Sequence, residues 1–172
     1  MALHPLPRPA FEERLHRLDG RFADSIAELH ARLEALIEAP SFRYAAKPRG
    51  LPAAVVYLFS EGGRPLYVGR SNRFRQRLGN HCRRSSTPNQ SAFAFRLARE
   101  EAGITEASYT GENTRKGLMK QPAFAAGFLR AKARLNEMDI QFVPEPDQVR
   151  QALLEIYCAV ALATPHNDFG TH

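Results

Sequence analysis

The chain has 172 residues, enough for one compact domain with a sizeable core and too few for two full ones. Its 24 Lys and Arg against 18 Asp and Glu, net +6 with a pI near 9.7, favour a polyanionic partner. Cys82 and Cys158 lie in separate segments and supply neither a disulfide framework nor zinc spacing, and no apolar run approaches the ~18 residues of a membrane span, so a cytoplasmic protein with no membrane association is expected.

From the N-terminus, Phe11, Leu15, Leu18, Phe22, Ile26, Leu29, Leu33 and Leu36 recur at steps of three or four. That period predicts an amphipathic helix, or two helices broken near Gly20. Its apolar stripe either packs on the main domain or, as a coiled coil, makes a homodimer through the N-terminal helix. "EAPSFRYAAKPRGLPA" carries three prolines and no periodicity and reads as a linker. Residues 1–46 are thus expected to form a helical N-terminal appendage and linker, and 47–172 the main domain.

"AAVVYLFSEGGRPLYVG" holds two short runs rich in Val, Tyr, Phe and Leu around the turn residues of "SEGGRP". A β-hairpin of residues 54–60 and 66–69 is predicted. Gly69 lets the chain turn, Ser71 or Asn72 can cap the helix that follows, and Arg73, Arg77 and His81 recur four apart on one face of it. Such a face is either simply solvated or a cationic ridge suited to phosphate. Tyr57 and Tyr67, one on each strand, are either core aromatics or have their hydroxyls directed at that ridge.

Residues 92–136 contain the helix-like "FAFRLARE", the Gly/Thr/Asn-rich "GITEASYTGENTRKG" and the helix-like "PAFAAGFLRAKARLNEM". Lys116, Lys120, Arg130, Lys132 and Arg134 make this stretch either a DNA-contact surface or a solvated helix face. "MDIQFVPEP" reads as a third strand, and "DQVRQALLEIYCAVALATPHND" as a helix whose stretch from Gln151 to Asn167 contains one acid, Glu155. A carboxylate amid Leu153, Leu154, Ile156 and Val160 needs solvent, an arginine or a metal ion to offset its burial. Mg²⁺ is compatible with one protein carboxylate, because it keeps several waters and takes substrate phosphate oxygens.

Tyr57, "YVG" at Tyr67 to Gly69, Arg77, His81, Glu155 and Asn167, in that order, resemble the signature of the GIY-YIG nuclease domain. Eight positions separate Gly69 from Arg77, and twelve separate Glu155 from Asn167, the interval associated with the excision-repair branch. The resemblance covers residues 53–91 and 138–169. It departs at the first motif, where "VVY" puts Val55 in place of glycine, and residues 92–136 form an insertion longer than the minimal domain needs.

The resemblance implies an α+β fold with a small three-stranded antiparallel sheet flanked by helices. It also implies a metal-dependent DNA endonuclease with one Mg²⁺ or Mn²⁺ per active site. Glu155 would be the metal ligand, with Arg77 on the scissile phosphate and Gly69, Arg70 and Arg73 contacting substrate. Tyr57 is favoured as the base that activates water, Tyr67 would orient water or phosphate, His81 would support it, and Asn167 would position neighbouring groups. The alternative is a catalytically silent nucleic-acid-binding module of the same fold.

Overall fold

The structure, a computed structural model, describes residues 20, 22–104, 113–167 and 169. Phe11, Leu15 and Leu18 of the N-terminal periodicity, and much of the Gly/Thr/Asn-rich stretch, lie outside the described residues. Three antiparallel strands, β1 (Val55–Glu61), β2 (Arg64–Ser71) and β3 (Asp139–Pro144), form a sheet in the order β2-β1-β3. β1 is central and covered on both faces, which is why its sequence is a continuous apolar run rather than an alternating one. The hairpin turns at Gly62 and Gly63, with φ of 58° and 78°; two consecutive positive φ values are what a tight hairpin turn requires and what glycine supplies without strain. A bulge between Phe59 and Ser60 opposite Leu66 re-phases β2, so that Leu66 and Tyr67 both serve the same face.

Helices cover both faces. Val56, Leu58, Val68 and Val143 share one core with Leu33 and Leu36 of α1 (Leu29–Glu38) and with Leu154 and Cys158 of α6 (Gln148–Ala161). On the other face, Val55, Tyr57 and Phe59 meet α2 (Phe74–Cys82), α3 (Ala92–Glu101), α4 (Arg115–Lys120) and α5 (Pro122–Glu137). Phe93, Leu97, Leu118, Phe124, Phe128 and Leu135 all belong to that second core. The stretch expected as an insertion therefore forms most of one layer of the domain, because its aromatic and aliphatic residues are the ones that cover the sheet.

Local chemistry explains the helix boundaries. Asp147 caps α6 by accepting from Val149 N and Arg150 N at 3.0 and 2.8 Å, Thr114 caps α4 through Gly117 N at 3.0 Å, and Pro122 opens α5. At the start of α2 the N-cap is Arg73 itself, and Ser71 Oγ accepts from Arg73 N at 2.9 Å in the turn that precedes it. The carbonyls at the C-terminal end of α2 are collected from outside: Ser86 Oγ donates to Gly79 O, Lys132 Nζ to Asn80 O and Asn136 Nδ2 to Cys82 O. Lys132 is buried at 1% exposure, so it caps a helix rather than facing a ligand. Arg130 pairs with Glu101 and Arg134 with Glu61, which leaves Arg115, Lys116 and Lys120 as the exposed cations of this stretch without a carboxylate partner among the described residues.

The segment read as a linker is tied to the sheet. Phe42 N donates to Ile140 O and Ile140 N to Phe42 O, at 3.0 and 2.9 Å, so residue 42 covers the β3 edge. The β2 edge is covered by the chain after α6, where His166 N donates to Leu66 O. Among the described residues no helix is long and apolar enough to cross a membrane.

Candidate active site

β1 and β2 pair so that Tyr57 lies opposite Gly69. The Tyr57 ring crosses that glycine so closely that a Cβ there would sit 2.4 Å from the phenol oxygen. Gly69 is thus the space into which the Tyr57 hydroxyl extends, and any side chain would displace it. The Tyr57 ring also stacks on Phe74, with centroids 5.3 Å apart, which locks its orientation.

That hydroxyl is a hub. Arg77 Nε–H donates to it at 3.2 Å, and it lies 2.9 Å from His81 Nε2. Because a guanidinium can only donate, the phenol oxygen accepts from Arg77, and the imidazole tautomer sets which of Tyr57 and His81 donates in the other bond. His81 Nδ1 is buried and has no hydrogen-bond partner among the described residues. Burial, reinforced by the charges of Arg77 and Lys132, pushes His81 well below its ordinary range and keeps it neutral. The arginine face of α2 is therefore graded: Arg73 exposed, Arg77 half-buried, and His81 inside the core without charge. A second anchor, Arg77 Nη1 to Gln90 O at 3.2 Å, fixes the guanidinium plane. Burial weakens Arg77's hold on its proton, but its contacts with Tyr57 and Tyr67 more than restore it.

The favoured assignment of Tyr57 as general base meets an obstacle here. Burial, with Tyr67 adding to it, holds the Tyr57 phenol well above its ordinary value despite the pull of Arg77. The phenol is fully buried, and its oxygen is held between Arg77 Nε and His81 Nε2. Tyr67 is half-buried, stacks on Phe93 at 4.6 Å, and is the motif tyrosine with access to solvent. The His81 hydrogen bond is to Tyr57, not to Tyr67; only the rings of His81 and Tyr67 are near, at 5.8 Å.

Glu155 reaches the same neighbourhood from α6. Its Oε2 accepts from Arg70 Nε at 3.0 Å, and its side chain is 24% exposed. Burial raises its carboxyl above the ordinary value against the opposing pull of Arg70 and then Arg77. Its charge in turn acts on Tyr57, so the Arg70–Glu155 pair and the Arg77–Tyr57–His81 chain share one electrostatic locale around Gly69. Among the described residues no group of three or more His, Cys, Asp or Glu gathers. The donor set is one carboxylate paired with Arg70, and a hard divalent ion could use it only with water and phosphate oxygens completing its shell.

Asn167 is used by the backbone. Its Oδ1 accepts from Val68 N and its Nδ2 donates to Val68 O, both at 2.8 Å, while Thr164 Oγ1 donates to the same Oδ1. It completes the β2 edge between Tyr67 and Gly69. His166, with no site role expected, is buried beside Phe93.

Sequence reasoning missed Gln151. Buried on α6 one turn before Glu155, its Nε2 donates to Glu145 O and Asn72 Oδ1 at 3.1 Å and to Ser71 O at 3.4 Å, pinning the exit of β2. The four-residue spacing from Glu155, on a helix face otherwise apolar, is the signal that could have found it. Gln90 and Phe93 were missed for a different reason: they contribute a carbonyl and a ring face, which leave no mark in a residue pattern.

No protein-family model, curated protein or solved structure matches this chain. The α+β architecture, three antiparallel strands between helical layers, stands on the structure.

Proposed function

We propose that this chain is a metal-dependent DNA endonuclease of the GIY-YIG type. The observation that carries the reading is that Arg77 holds the Tyr57 hydroxyl, which lies over Gly69, while the next residue of β2, Arg70, pairs with Glu155. Held at two points, the Arg77 guanidinium meets a phosphoryl oxygen already oriented, which lowers the cost of reaching the charged transition state. Arg70 and Arg73, both exposed, hold adjacent phosphates. Tyr67 orients the attacking water and is the better candidate to take its proton, while Tyr57 and His81 keep Arg77 in place. Glu155 would hold the Mg²⁺ or Mn²⁺, which when bound supplies Lewis-acid stabilisation of the phosphoryl and departing 3′ oxygens. As substrate binds, the Arg70 partner can change from Glu155 to phosphate, freeing the carboxylate.

A silent nucleic-acid-binding module has one observation in its favour: the Glu155 carboxylate is engaged by Arg70 and the Tyr57 hydroxyl is closed off. Supercoiled plasmid with Mg²⁺, Mn²⁺ or EDTA separates the two. Metal-dependent nicking is expected, with Glu155→Gln abolishing it and Arg77→Ala lowering it by about 10²- to 10³-fold while changing affinity little, since other cations carry the salt-dependent binding. Full metal-stimulated nicking by Glu155→Gln would sink the metal assignment. A wild type that shifts DNA but nicks none would select the silent module.

A further inference from the structure

A second basic concavity of about 610 Å³ lies beside α2, between that helix and residues 44–53. Lys47, Arg73, Arg75 and Arg83 line it, and no Asp or Glu does. Its apolar lining includes Tyr44, Leu51 and Phe74. Lys47 Nζ stands 4.4 Å over the Tyr44 ring, so cation and aromatic face are already brought together. Phe74, also among the lining residues, is fully buried, and its ring stacks on that of Tyr57. The cleft is therefore one aromatic ring away from the Arg77 anchor.

We infer that this cleft seats an unpaired nucleotide of the nucleic-acid strand whose neighbouring phosphate lies at Arg77; the inference rests on the nucleic-acid reading above and adds a single-strand preference to it. Four cations with no carboxylate neutralise successive phosphates, and an aromatic and aliphatic floor takes a base or sugar without demanding a sequence. A cleft in the range of about 300–1,000 Å³ is of the size that takes one nucleotide, whereas a double helix could only lie across its mouth.

The test is fluorescence anisotropy with a labelled oligothymidylate and with a blunt duplex, in EDTA so that cleavage plays no part. The Arg75→Ala, Arg83→Ala double variant is compared with Lys116→Ala, Lys120→Ala, which removes the same charge from exposed positions elsewhere. The cleft variant should weaken oligothymidylate binding at least tenfold and reduce the salt slope by about 1.4, two phosphate contacts at ~0.7 each. Duplex affinity should fall no further than in the control variant. Tyr44→Ala should weaken the oligothymidylate about tenfold while leaving the salt slope unchanged, as loss of stacking does. Equal losses in both double variants, an equal loss on duplex, or no oligothymidylate binding by the wild type would overturn the inference. A cleft variant that loses the oligonucleotide although plasmid is never nicked would uphold the cleft and sink the endonuclease. Nicking by a protein whose cleft variant binds like wild type would do the reverse.

Discussion

His81 illustrates how one side chain can serve the site without ever carrying charge. Its folded-state proton affinity is held down chiefly by burial, and the unfolded chain has no such restraint. Below about pH 6.5 the unfolded state therefore takes up a proton that the folded state refuses, and stability falls by up to about 1.4 kcal/mol per pH unit. His166, also lowered mainly by burial, acts in the same direction; Glu155, held up, acts in the opposite one. Denaturant unfolding between pH 7.5 and 5.5 should show a steeper loss for the wild type than for His81→Gln, whose amide can still accept from Tyr57. Parallel slopes would mean that His81 is protonated in the folded protein.

The exit of the β2 edge strand depends on a segment that is neither strand nor helix. After α6 the chain turns at Ala163, a non-glycine residue at φ 48°, and returns along β2, where the Asn167 amide stands in for a neighbouring strand. Asn167→Ala should cost about 1–3 kcal/mol, because it leaves both polar groups of Val68 unpaired. Amide exchange should locate the effect, with Val68 N–H losing protection while the β1–β3 ladder retains its own; unchanged exchange at Val68 would show that water replaces the side chain fully. The α2 element carries a parallel lesson about charge. Lys132 has the sequence character of a surface lysine, yet α5 packs it against the end of α2, where it satisfies carbonyls.

At the scale of the molecule, the sheet separates two cores, and the one facing α1 and α6 is the smaller. Leu36 lies in it at 0% exposure. Leu36→Ala should cost about 2–5 kcal/mol, the range for a buried large-to-small change. With no tryptophan and five tyrosines, unfolding can be followed by far-UV circular dichroism and tyrosine fluorescence together. Coincident transitions are expected if α1 is a layer of the domain, whereas early loss of helix with the tyrosine signal intact would make it a separable appendage. The described part of α1 turns Leu33 and Leu36 inward and leaves Ile37 exposed, so its buried face is already occupied by the sheet and α6.

Hairpin, third strand and long helices were legible in the chain itself, because Gly62–Gly63, the run from Val55, Pro122 and Asp147 act through contacts a few residues away. The order of the chemistry-bearing residues was legible too, since Tyr57, Gly69 and Arg77 are brought together by one hairpin and the helix after it. Tertiary structure alone decided what each does. Burial enclosed the Tyr57 hydroxyl between Arg77 and His81 and left Tyr67 half-buried. Packing made residues 92–136, expected as an insertion relative to the family, part of a layer of the core. The return of the chain after α6 spent Asn167 on Val68. Those outcomes depend on which groups lose water and on partners from 20 to 99 positions apart, and neither is written in local spacing.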